Sequence, residues 1–155
     1  MSKLKSIQLA IELAERQRDD CAKAVAQAKR THSFSLHQLD QLQGYAGDTD
    51  ERWMRSSSIE LSAELIRHHY QFMARLQQAI ALQGDAIANS LRQVESVEKA
   101  LLQAEYRLAG LNQVLKGRQS AMLVVEKRRE QRATDEFAAM QHARNRAQAM
   151  TGEIV

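Results

Sequence analysis

The chain contains no proline and a single cysteine, and it is sparing with glycine (six residues) and aromatics (5% of side chains). Without proline, nothing in the sequence forces a helix to stop through a ring clash or a missing N–H. One thiol, Cys21, excludes an intrachain disulfide and fits a reducing compartment. Cys21 itself reads as a small residue in an apolar seam rather than a nucleophile. A broad globular core in 155 residues would normally use more large aromatic side chains. The scarcity therefore favours a slender molecule with a narrow seam, in one domain spanning 1–155. No apolar run approaches the roughly 20 residues that a membrane span needs. Charges also interrupt the N-terminal MSKLKSIQLAIELAERQRDD throughout, which is unlike a secretory signal core. A cytoplasmic protein is expected.

Signatures of chemistry are missing too. Nothing resembles a phosphate-binding GxxxxGK[ST] loop, an HExxH or a CxxC. His68 and His69 are adjacent, so on a helix they point about 100° apart, and His32 and His37 are five apart. Neither spacing suits a shared metal, and zinc wants three or four converging ligands. Asp19–Asp20 and Asp135–Glu136 are acidic pairs of a kind common on helix surfaces. A two-helix rod also lacks a concave pocket that could exclude water from a reaction. No enzyme, no cofactor, no metal and no small-molecule substrate are expected.

What is abundant is Ala, Gln, Leu, Glu, Arg and Lys, residues that lose little freedom in a helix. Spacings of three and four alternate through Leu4, Ile7, Ile11, Ala14, Arg18, Cys21, Val25, Ala28, His32, Ser35, Leu39 and Leu42. That is a heptad seam sustained over more than five repeats. It predicts a first helix over about 3–46, or on to 55. The stretch GYAGDTDERWMRSSS then reads as a connection over about 47–58, and Ser57 with Glu60 fits a capping box. A second helical region follows over about 58–148, ahead of a frayed tail at 149–155. Its opening stripe of Leu61, Leu65, Phe72, Leu76 and Ile80 slips against a strict heptad, leaving room for short helices between 58 and 75. A regular seam resumes through Ile80, Gln83, Ile87, Ser90, Val94, Val97, Leu101, Ala104, Leu108, Leu111, Leu115, Arg118, Met122 and Val125.

Two such helices can bury their seams against each other, and the simplest arrangement is an elongated antiparallel two-helix coiled coil, all-α. At about 1.5 Å per residue the second helix alone would exceed roughly 100 Å. The first is shorter, so part of the second lacks an intrachain partner. Charge is also uneven. Residues 1–30 hold seven Lys/Arg against four Asp/Glu, residues 31–115 seven against ten, and residues 116–148 eight against four. If the chain folds back on itself, the two basic ends meet and their fields add. The basic run EKRREQR at 126–132 reads either as a solvated helix face or as a docking surface for an acidic protein. Glu126 and Glu130 blunt its field and stacking aromatics are absent, so nucleic acid is not the expected partner.

Four local signatures occur in order along the chain: LAERQRDDCAK at 13–23; Gln38, Leu42 and Tyr45 as QxxxLxxY; HYQFMARLQQAIALQ at 69–83; and VEKRREQRATDEFA at 125–138. Together they resemble the FliJ family, the small coiled-coil component of the bacterial flagellar type III export apparatus. The resemblance covers nearly the full length. It implies a stalk-like adaptor that enters the hexameric export ATPase, faces the membrane-embedded export gate and meets export chaperones, at the cytoplasmic side of the inner membrane. It assigns Phe72, Leu76, Ala79 and Gln83 to the gate; the last of these is often His in the family. Their spacings of four, three and four place them on one helix face, as in a helix-in-groove contact or in packing against the first helix. At the ATPase end the expected contacts are Glu126, Arg128, Arg129, Glu130 and Arg132, with Arg16, Arg18 and Asp19 opposite. Asp135, Glu136 and Phe137 carry the DEFA signature. The rival readings are the equivalent stalk of a virulence type III system, a free-standing export chaperone and a basic nucleic-acid binder.

Overall fold

A heptad seam on residues of high helix propensity has one economical outcome, which is a long helix laid against another. The computed structural model describes residues 2–56 and 62–153. It contains two helices, α1 (Ser2–Ser56) and α2 (Ala63–Glu153), 55 and 91 residues long. They pack as an antiparallel hairpin, and no strand occurs among the described residues.

The chain divides into two units, one formed by Leu13–Arg107 and the other by Met1–Glu12 with Leu108–Val155. In the Leu13–Arg107 unit the contacts fix the direction of pairing. Gln17 meets Arg107, Lys29 meets Glu98, His32 meets Ser90, Gln38 meets Gln83, Tyr45 meets Phe72 and Trp53 meets His69. Each step up α1 is a step down α2. Ala14, Val25, Ala28 and Ala46 of α1 and Leu76 and Val94 of α2 are buried between the helices. In the other unit Ile11 and Leu108 are buried, with Leu4, Ile7, Leu111 and Leu115 half-buried beside them.

All twelve seam positions expected of α1 are buried or half-buried. The seam also continues in the same rhythm through Ala46, Thr49, Trp53 and Ser56. Helix α1 therefore runs through Gly44 and Gly47 to Ser56, close to the longer of the two expected bounds, 55, and the stretch from 47 to 56 forms its last turns. Burial of Ala46 and Trp53 outweighs the propensity cost of two glycines, about 1 kcal/mol each against Ala. Polar residues here are reconciled with the helix by bonding back to it. Thr49 Oγ1 donates to the Tyr45 carbonyl at 2.8 Å and Ser56 Oγ to the Arg52 carbonyl at 2.9 Å.

The start of α2 also differs from expectation. Ser62 is its N-cap: its Oγ accepts from the Leu65 N–H at 3.2 Å, and its carbonyl takes the Leu65 and Ile66 N–H groups at 3.1 and 3.2 Å. The capping box of Ser57 and Glu60, like Leu61, lies outside the described residues. No break or separate short helix follows, since α2 is continuous from Ala63 to Glu153, well into the tail expected to fray from 149. The slip read from Leu65 and Phe72 disappears because neither is a seam residue. The inward positions are His69, Met73 and Leu76, which continue the heptad without interruption into Ile80 and Gln83. At the far end Arg118, Met122 and Val125 extend the seam pattern but are exposed. Among the described residues none covers them.

Candidate functional site

Two surfaces stand out, one in each unit. The first, in Leu13–Arg107, joins residues from distant parts of the sequence. Gln38, Leu42 and Tyr45 on α1 come opposite the stretch of α2 that carries Phe72, Leu76, Ala79 and Gln83. Gln83 Nε2 donates to the Ser35 carbonyl at 2.8 Å and to Gln38 Oε1 at 3.2 Å. The Tyr45 and Phe72 rings meet edge to face, with centroids 6.0 Å apart and planes at 77°. Leu76 is buried; Ala79, Gln83 and Leu42 are half-buried; Phe72 and Tyr45 are 40% and 55% exposed. The residues thus divide by role. Leu76, Leu42 and Gln83 hold the helices together, while the Tyr45–Phe72 pair presents aromatic surface to solvent.

The neighbouring layers of this unit are polar. The Ser90 hydroxyl donates to the Ile87 carbonyl at 2.8 Å, leaving its oxygen to accept from His32 Nδ1 at 2.9 Å. The His32 nitrogen facing it therefore carries the proton. Beyond Tyr45, Trp53 stacks flat on His69, centroids 3.8 Å apart and planes at 2°, with Tyr70 edge-on to His69 at 6.1 Å. Sequence reasoning missed Trp53, His69 and Met73. The signal was their heptad spacing, hidden because a histidine does not register as apolar.

The second surface is the part of α2 that α1 does not reach. From Lys116 to Gly152 every residue is exposed. Arg128, Arg129 and Arg132 lie with Val125 at offsets of three, four and seven, so they form one face around a shallow hollow. Among the described residues, none of the three arginines has a hydrogen bond or ion pair. Phe137 and Met140, 67% and 72% exposed, line another face with Gln141 and Arg144. Glu126 and Glu130 are exposed, Asp135 accepts from Gln131 Nε2 at 3.2 Å, and Glu136 is exposed.

Arg16, Arg18 and Asp19, expected opposite the charged run, lie on the early turns of α1 in the Leu13–Arg107 unit. There the neighbouring Gln17 accepts from Arg107 Nη1 at 3.5 Å. Arg18 is half-buried, its stem along the seam and its guanidinium paired with Asp19 at 2.9 Å. Cys21 is a half-buried seam residue, beside Ala100 and Ala104 in an open groove. Among the described residues no three His, Cys, Asp or Glu side chains converge as a metal site would need.

The order of the sequence signatures and a helical hairpin with an uncovered C-terminal stretch point in one direction. The model of one protein family, described as flagellar FliJ protein, matches residues 3–147. The chain belongs to the FliJ family. No curated protein and no solved structure was found to match it. Membership makes this FliJ-family chain a component of flagellar type III protein export. The FliJ match takes in both surfaces, the Tyr45–Phe72 patch and the exposed stretch as far as residue 147. Among the described residues no helix is long and apolar enough to cross a membrane.

Proposed function

We propose that the chain is a stalk-like adaptor of flagellar export. Its uncovered stretch, Lys116–Gly152, enters the hexameric export ATPase. Its Tyr45–Phe72 patch docks on the cytoplasmic part of the export gate. Export chaperones are further partners, and the protein works in the cytoplasm, held peripherally at the inner membrane through the apparatus.

One observation carries the reading: among the described residues, more than thirty residues of continuous helix are left uncovered, and three arginines on one face of it are unpaired. An isolated helix gains most of its stability from packing against something, so a helix of this length is built to be covered. Unpaired guanidinium groups suit acidic or carbonyl-rich loops, which they can grip in bidentate fashion. At the patch, Phe72 offers the exposed anchor, and the buried Leu76 and tied Gln83 hold it in place. Rings of this kind in the centre of a contact usually carry most of its energy.

The experiment is to add the protein to the purified export ATPase and follow oligomerisation and ATP turnover. Both rise under this reading. If neither changes at saturating concentration, the stalk role is wrong. The family match is to the flagellar protein, which supports the flagellar stalk over its virulence counterpart.

A further inference from the structure

Met122, Leu123, Val124 and Val125 are exposed by 42%, 59%, 48% and 49%. Successive helical residues point about 100° apart, so these four side chains face four directions around α2. The helix is apolar on every side at this one level. Charge brackets the band, with Lys116 and Arg118 before it and the run from Glu126 to Arg132 after it. A run of this length is not tolerated on an ordinary surface helix, and a helix that is apolar all round is normally enclosed. A groove or a single partner helix covers one stripe. It would bury Met122 and Val125, which continue the heptad seam, and leave Leu123 and Val124 in water. Nothing in the chain's own described structure covers any of the four.

We propose that the partner closes around α2 at Met122–Val125 with an apolar collar about one helical turn deep. Its acidic groups lie on the side facing Arg128, Arg129 and Arg132. An apolar centre with a charged rim is the usual anatomy of a specific protein interface. Charge argues against a second copy as the occupant. Self-association would bring two sets of the same basic residues together in an excess of positive charge. The proposal rests on the reading that this stretch enters the export ATPase. It assigns the enclosing contact to four apolar residues instead of the charged ones.

The test is a positional scan of the full-length protein: Met122→Gln, Leu123→Gln, Val124→Thr and Val125→Thr. Binding of each to the assembled ATPase is measured, with thermal unfolding as a control. All four weaken binding, each by about five- to tenfold, and unfolding is unchanged because none of these side chains packs against α1. If Leu123 and Val124 are neutral while Met122 and Val125 matter, the partner is a groove and the collar is refuted. If all four are neutral while the wild type binds, the collar is refuted and the ATPase reading stands. If the wild type does not bind the ATPase, both fall. Light scattering of the protein alone provides a further check. A multimer dissolved by Leu123→Gln would show that copies of this chain cover the band, which also overturns the proposal.

Discussion

Leu76 and Phe72 are four residues apart on α2, yet their side chains have different duties. Leu76 is buried against α1, and truncation to Ala should cost about 2–3 kcal/mol, the lower part of the range for core leucines because the seam is only two helices thick. Phe72 is 40% exposed. Phe72→Ala should lower stability less than Leu76→Ala but weaken binding to the export gate about tenfold. Urea unfolding and a binding titration on the same two variants separate the roles; equal losses in both assays would mean that Phe72 is a packing residue. Gln83→Ala should cost about 1 kcal/mol, since it removes bonds to Ser35 and Gln38 across a half-buried seam. That the Phe72, Leu76, Ala79 and Gln83 stripe shares a helix face was legible in its spacing. Which of its members faces α1 was not, because a two-helix seam and its flanks differ by a fraction of a turn. Only the partner helix decides it.

The helices themselves were largely written in the sequence. A 3.5-residue period leaves little choice, and every predicted seam position of α1 is at least half-buried. Boundaries were harder. Gly44 and Gly47 look like breakers, yet neither has positive φ, and a Cβ built on either meets nothing within 4 Å. Local propensity lost to the packing of Ala46 and Trp53 on the next turns. It follows that Gly44→Ala and Gly47→Ala should each stabilise the protein by about 0.5–1 kcal/mol. A thermal melt checks this. A loss of stability at Gly47 would place the turn there after all. The start of α2 was misread for a related reason. Leu65 and Phe72 dominate the local pattern by size, and the true seam residues His69 and Met73 are a polar ring and a flexible thioether.

For the whole molecule, helix lengths of 55 and 91 residues guarantee a surplus of α2, and sequence alone gave that surplus correctly. It did not tell where the surplus begins, because Arg118, Met122 and Val125 carry on the seam pattern although they are exposed. The charged residues from Glu126 to Arg132 were legible as a cluster; their freedom from partners was not. A chain shortened to end at Gln119 should keep the thermal stability of the Leu13–Arg107 unit and lose stimulation of the ATPase. Loss of both would mean that the surplus supports the fold.

Hydrogen exchange across the full chain, with and without the export ATPase, addresses the central claim directly. Alone, the amides of 116–152 should exchange much faster than those of the seam around Val25, Leu76 and Val94, because opening a solitary helix disrupts no tertiary packing. On addition of the ATPase, protection should appear in 116–152 and centre on Met122–Arg132. Slow exchange there in the free protein, or no new protection in the complex, would contradict the account.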